Sequence, residues 1–306
     1  MYASAHSKKI TLLPVPFDWG AGRRGAKDGP EAILRTGLER KLRLLRHEVE
    51  TAPALPEFKP LSSADARAAP HALKHLDAVA DMNEALALQV SALVGQRRFP
   101  IILGGDHSIA IGTIAGLSAH YKQLGVLWFD AHSDLNTADT SPSGNLHGMS
   151  LAVSLGLGHD RLVKLLGRCP KVLPEHIVIV GARDLDEGEK QLIRQLGIRC
   201  FTMQDIDRYG IGKVLEEAAR QLQGTDGVHV SFDIDSVDPN EAPGTGTPVP
   251  GGMSYREAHY AMELLQESGM VTSAELVEVN PSLEPGQRTS RLASGLLLSL
   301  LGETIL

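Results

Sequence analysis

Short apolar runs recur along the chain at residues 10–15, 100–103, 124–129, 176–180, 228–232 and 271–277. Their near-continuous apolar character is that of strands covered on both faces. Between them lie stretches with apolar residues at helical spacing: 31–45, 72–93, 108–121, 147–157, 187–196, 212–222, 254–266 and 288–301. Pro30 stands at the first turn of one of them, where a helix tolerates proline. Arg40, Lys41, Arg43 and Arg46 interleave with Leu38, Leu42 and Leu45, which reads as the wet face of an amphipathic helix. Strand, helix, strand repeated this often predicts right-handed crossovers and a mainly parallel sheet with helices on both faces. Residues 51–70, rich in Pro and Ala, read as a surface connection. No internal repeat interrupts the pattern, so one α/β domain over residues 1–306 is expected.

In such sheets ligands bind beyond the carboxyl ends of the strands, so the residues following each run carry the most information. The run at 100–103 is followed by Gly104-Gly105-Asp106-His107-Ser108, and the run at 124–129 by Asp130-Ala131-His132-Ser133-Asp134. Asp233-Ile234-Asp235 follows 228–232, and Glu278 follows 271–277. In extended backbone alternate side chains point the same way, so Asp130, His132 and Asp134 converge, as do Asp233 and Asp235. With His107 they place four carboxylates and two imidazoles at one sheet edge. Clustered carboxylates repel one another and are costly to bury, and no Lys or Arg lies within these motifs. Bound divalent metal is the simplest solution, and six ligands suit two ions sharing bridging carboxylates. Oxygen-rich ligation with two His and no Cys favours Mn²⁺ over a thiolate zinc site. One Asp-x-His-x-Asp alone is compatible with an ordinary turn; the combination after separate strands is what points to metal. Two adjacent ions lower the pKa of a bridging water, which implies hydrolysis.

Composition narrows the partners. The chain has 306 residues with a formal net charge of −7, 42 % hydrophobic and 22 % charged residues, values typical of a soluble globular protein. The acidity argues against a nucleic-acid partner. Two cysteines, Cys169 and Cys200, make no disulfide framework and read as free thiols. No signal peptide is recognisable near the N-terminus, and the apolar stretch around 296–301 is too short to span a bilayer. A cytoplasmic protein with no membrane partner is expected.

Over nearly its whole length the chain resembles the ureohydrolase (arginase–agmatinase) family. The matching segments are Gly22-Arg23-Arg24-Gly25 with Gly29-Pro30, the three metal motifs, residues 181–189, residues 231–239 and Glu278-Val279-Asn280-Pro281. The resemblance implies a three-layer α/β/α fold with a mainly parallel sheet. It implies one Mn²⁺ on His107, Asp130, Asp134 and Asp233, and a second on His132, Asp130, Asp233 and Asp235, with Asp130 and Asp233 bridging. Within the family the resemblance is to the arginase branch, and it rests on the loop Asn136-Thr137-Ala138-Asp139-Thr140-Ser141-Pro142-Ser143-Gly144-Asn145-Leu146-His147. There Asn136, Ser141 and Ser143 are suited to a substrate α-carboxylate. Asp186 and Glu189 match acids that bind an α-ammonium, although acids there also suit a helix N-terminus.

The activity so implied is hydrolysis of L-arginine to L-ornithine and urea by a metal-bridging hydroxide. Asp134 accepts a hydrogen bond from the nucleophile, Glu278 pairs with the guanidinium, His147 shuttles protons and Thr247 supports the guanidinium end. Agmatinase, guanidinobutyrase and formimidoylglutamase activities share the metal motifs and are the alternatives; a non-catalytic arginine-binding protein on the same fold is a more distant one. A homo-oligomer, trimer or hexamer, is implied by the family.

Overall fold

The computed structural model describes residues 7–60 and 72–304. Eight strands form one sheet: β1 (Lys9–Pro14), β2 (Glu48–Thr51), β3 (Phe99–Leu103), β4 (Leu124–Phe129), β5 (Ile177–Ala182), β6 (Arg199–Thr202), β7 (Gly227–Asp233) and β8 (Val271–Val277). Their order is β2-β1-β3-β8-β7-β4-β5-β6, and every pairing is parallel. The chain lays β3 and β4 down with a gap between them, and β7 and β8 later fill it. The four strands that end in chemistry, β3, β8, β7 and β4, are therefore the four central ones.

Alternate residues of the inner strands enter opposite cores, as β4 and β5 illustrate. Leu127 and Phe129 of β4 and Val178 and Val180 of β5 pack with the helices Gly29–Arg35, Ile211–Gln221, Tyr255–Ser268 and Arg288–Leu300 on one face. Val126, Trp128, Ile177 and Ile179 pack with the helices Leu76–Gly95 and Ala110–Ser118 on the other. Burial on both faces explains why these strands read as unbroken apolar runs. The expected α/β architecture with a mainly parallel sheet is the observed one. The helix Ala110–Ser118 crosses Leu76–Gly95 at close range, because a Cβ on Gly112 would lie 2.6 Å from the Asn83 carbonyl oxygen.

Several local expectations change, and the helix expected over 147–157 is a 3-10 turn, Leu146–Met149, followed by the short helix Ser150–Ser154. The helix expected over 31–45 is two, Gly29–Arg35 and Leu38–Leu44, because Gly37 takes the left-handed conformation (φ 84°) between them. The edge strands β2 and β6 were not foreseen: their four residues each are largely solvent-facing and lack an apolar run. The helix expected from residue 72 starts at Leu76. Residues 52–60 carry no helix or strand, and the remainder of the expected surface connection, from residue 61, lies outside the described residues. Leu38 and Leu42 are buried and Arg40 and Arg43 exposed, as an amphipathic helix requires. Both cysteines are free, and no helix among the described residues is long and apolar enough to cross a membrane.

Candidate metal centre and active site

The turn after β3 is built around a close approach. Gly105 passes so near Phe17 that a Cβ would lie 1.6 Å from its carbonyl oxygen, so only glycine fits. The Gly105 carbonyl accepts the Glu278 N–H (2.8 Å), tying the exit of β3 to that of β8. Asp106 then caps the short turn His107–Ile109 by accepting the Ser108 N–H (2.9 Å). His107, fully buried, stacks on Trp128 with ring centroids 4.1 Å apart. Its Nε2 lies 2.9 Å from Ser231 Oγ, whose own proton goes to Glu275 Oε1 (2.7 Å). Ser231 therefore accepts from His107, which leaves the Nδ1 lone pair facing the site.

Around that lone pair stand three carboxylate oxygens: Asp130 Oδ2 at 3.3 Å, Asp134 Oδ2 at 3.2 Å and Asp233 Oδ2 at 3.2 Å. His107 Nδ1 and Asp134 Oδ2 are buried without a hydrogen-bond partner. Such a set of acceptors fits a cation. The other oxygen of Asp130, Oδ1, lies 3.3 Å from His132 Nδ1, which is also 3.3 Å from Asp235 Oδ2. Two groups with metal-ligand spacing result, His107–Asp130–Asp233 and Asp130–His132–Asp235, and Asp130 belongs to both. Asp233 turns its Oδ1 to the Asp235 N–H (2.8 Å) and its Oδ2 to the first group. The six sequence-predicted ligands are thus brought together.

The electrostatics agree. Burial, reinforced by the charge of Asp130, pushes the Asp134 carboxyl well above the usual range. Burial and the charges of Asp235 and Asp130 do the same to Asp233. Among the described residues the ion-pair partners of Asp130, Asp134, Asp233 and Asp235 are imidazoles alone. Arg183 stands close but gives its guanidinium to backbone carbonyls, those of Asp235 (2.6 Å) and Val249 (2.7 Å) among them.

Glu278 closes the wall beside the metal groups. Its Oε1 accepts the His107 N–H (2.8 Å) and lies 3.1 Å from His147 Nδ1. Its Oε2 faces Gly246, where a Cβ would come within 3.8 Å. Burial works against protonation of His147, but the hydrogen bond and charge of Glu278 prevail and raise it to about 9. Asp134 and Glu278 both hold the left-handed backbone, φ 51° and 61°. That conformation costs a side-chain-bearing residue about 1–2 kcal/mol and concentrates at functional positions.

The loop from Asn136 to His147 lies against the helix Glu187–Leu196. A Cβ on Gly188 would fall 2.7 Å from Thr140 Cβ. Asn136 Nδ2 donates to Asp186 Oδ2 (2.8 Å), joining two predicted substrate residues. Ser141 Oγ and Ser143 Oγ stand 3.5 Å apart, and each accepts a loop N–H, from Gly144 and Asn145 respectively. Glu189 differs from these neighbours. It is 3 % exposed, and its oxygens accept Ser133 Oγ–H (2.8 Å), the Leu135 N–H (3.1 Å) and the Asp186 N–H (2.8 Å). Its carboxylate joins the loop that carries Asp130, His132 and Asp134 to Asp186. Thr247 Oγ donates to Asp235 Oδ2 (2.9 Å), which ties it to the second metal group.

Sequence reasoning passed over Asp106. Besides Ser108, it accepts the Gly20 and Ala21 N–H groups (2.7 and 3.0 Å) through Oδ2. The Gly20 carbonyl in turn accepts the His147 N–H (3.1 Å), so Asp106 indirectly places His147. Also missed were Ser231 and Glu275; the available signal was polar residues inside otherwise apolar buried strands.

Fold and site together define an α/β enzyme with an acid-and-imidazole cluster at the carboxyl edge of a parallel sheet. The Arginase family model matches residues 8–302, and the chain belongs to that family. It is 50 % identical to the arginase of Bacillus subtilis (strain 168) over 299 residues, 98 % of this chain and 99 % of that protein. Among solved structures, arginase from Bacillus caldovelox superposes with a TM-score of 0.93 at 49 % identity, covering 98 % of this chain and 100 % of the other. Entamoeba histolytica arginase in complex with L-ornithine superposes with a TM-score of 0.89 at 33 % identity, covering 97 % and 99 %.

Proposed function

We propose that this chain hydrolyses L-arginine to L-ornithine and urea with two Mn²⁺ ions, one on His107, Asp130, Asp134 and Asp233, the other on His132, Asp130, Asp233 and Asp235. The observation that carries the reading is the division of Asp130 between two imidazole–carboxylate groups beside the Glu278–His147 pair. The arginases among its relatives support the substrate. When bound, the ions lower the pKa of a water and supply a nucleophile at neutral pH.

The chain's own residues do the rest. Glu278 receives the guanidinium, whose planar donors match a carboxylate fork. The arriving cation competes with His147 for Glu278 and adds a like charge beside it. Both effects lower the pKa of His147 and release its proton toward the departing amine. Asp134 Oδ2, which has no protein donor, accepts from the attacking water. At the other end Asn136, Ser141 and Ser143 hold the α-carboxylate and Asp186 the α-ammonium. Glu189 contributes by fixing Asp186 and the 133–135 segment, and Thr247 by holding Asp235 near the guanidinium. The chain acts as a single catalytic domain and assembles as a homo-oligomer, a state that exposed Tyr209, Tyr255 and Tyr260 suit.

Urea release from the Mn²⁺-loaded protein, measured in parallel with L-arginine, agmatine and 4-guanidinobutyrate, tests the reading. Turnover confined to arginine supports it. Equal turnover of agmatine, which lacks the α-carboxylate, removes the assignment of Ser141, Ser143 and Asn136. A protein that releases no urea from any of the three is no arginase.

A further inference from the structure

A buried polar chain lies between β7 and β8 that the proposed reaction does not consume. His229, Ser231, Ser273 and Glu275 are all at 0 % exposure in the middle of the sheet. Ser231 Oγ, having accepted from His107 Nε2, donates to Glu275 Oε1. His229 Nε2 lies 3.3 Å from that same oxygen, and its Nδ1 is 2.9 Å from Ser273 Oγ. A carboxylate there is expensive unless paired, and apolar side chains of similar size are often equally stable in such positions. Burial pushes Glu275 up, yet the charge and hydrogen bond of His229 outweigh it and hold the carboxyl below its ordinary range. A negative charge is thus kept one hydroxyl behind His107. Among the described residues no such chain stands behind His132, whose side chain is 27 % exposed.

We propose that Glu275 is a positioning residue for one of the two metal groups. Acting through Ser231, it holds His107 with the Nδ1 lone pair toward the carboxylates and makes that nitrogen a stronger ligand. It thereby sets the affinity of the His107–Asp130–Asp233 group and leaves the Asp130–His132–Asp235 group untouched. The proposal rests on the two-metal reading above. It adds that the groups are tuned independently, one of them from inside the sheet.

Glu275→Gln tests it, because the amide keeps the shape and still accepts the Ser231 hydroxyl while the charge is gone. Metal-free protein is titrated with MnCl2 and free Mn²⁺ is followed by electron paramagnetic resonance. Two equivalents are expected to bind the unaltered chain. In Glu275→Gln one equivalent should bind roughly 10–100-fold more weakly and the other as before. In a His107→Ala background the same substitution should leave the remaining equivalent unchanged. Two unchanged equivalents, or two weakened alike, overturn the proposal. Ser231→Ala severs the chain but spares the Glu275–His229 pair; it should give the same selective loss, and wild-type affinity there overturns the proposal even if Glu275→Gln does not fold. An unaltered protein that binds fewer than two equivalents refutes the two-metal reading itself.

Discussion

Replacing Asp106 by asparagine tests a residue that fixes the loop positioning His147 and whose charge also helps to raise the pKa of His147. Asp106 is fully buried and accepts from Gly20 N, Ala21 N, Ser108 N and Ser108 Oγ. Asparagine has one acceptor oxygen, so its amide must choose between these pairs. The cheaper choice directs oxygen at Gly20 and Ala21 and NH2 at Ser108, because the hydroxyl can turn to accept while a backbone N–H cannot. One buried N–H is then left unpaired, at about 1–3 kcal/mol, and two charge-assisted bonds become neutral, at about 1 kcal/mol each. Burial and the charge of Glu278 push the Asp106 carboxyl up to about 6, so losing that buried charge offsets part of the cost, and a net loss of about 1–2 kcal/mol in unfolding free energy follows. Urea unfolding of the metal-free protein measures it. Trp19 provides a local probe, since its indole lies under the Arg24 guanidinium, 3.7 Å away, in the loop that Asp106 pins. Turnover should fall as well, by on the order of 100-fold for a displacement of 1 Å in a reacting group. A variant that loses less than about 1 kcal/mol and keeps full turnover would refute the reasoning.

Three further outcomes are expected. His147→Ala should lower kcat by about 10²–10⁴-fold with metal content unchanged, and added imidazole should restore part of it; full turnover without imidazole removes the proton-transfer role. Ser143→Ala should weaken kcat/KM for arginine by about tenfold while sparing agmatine, as loss of one hydrogen bond to a charged group requires; an unchanged preference contradicts the loop assignment. Burial pushes the Cys200 thiol up to about 12, so it is protonated at pH 8, whereas Cys169 is exposed. An alkylating reagent at pH 8 should therefore modify one thiol in the folded protein and two after denaturation, as counted by mass spectrometry.

What could be read from the sequence follows from where solvent is absent. The central strands were legible because both faces are covered, and the His and Asp cluster because its members stand at or shortly after the carboxyl ends of such strands. The edge strand β2, Glu48-Val49-Glu50-Thr51, hides among charged residues because only Val49 turns inward. Gly37 broke a helix that apolar spacing alone would have continued. Glu189 shows the limit for site residues: the sequence places an acid near Asp186, and only the structure shows its oxygens directed at Ser133, Leu135 and Asp186 N. Asp106 and Glu275 were invisible as functional candidates, because their partners are 86 and 44 residues away along the chain.

The late insertion of β7 and β8 between β3 and β4 also governs how the protein is made. When β4 leaves the ribosome, the future centre of the sheet is two apolar strand edges with no partner. The end of β8, Val277, is still 148 residues from Phe129, so synthesis at about 5–20 residues per second leaves the gap incompletely filled for roughly 7–30 s. Exposed strand edges of this kind are sites of misassociation, and closing them requires contacts distant in sequence, which form slowly. Nascent chains arrested before β7 should therefore bind chaperones or aggregate. They would also hold Asp130, His132 and Asp134 without Asp233 and Asp235, so the acid-and-imidazole cluster is completed only at the last stage of folding.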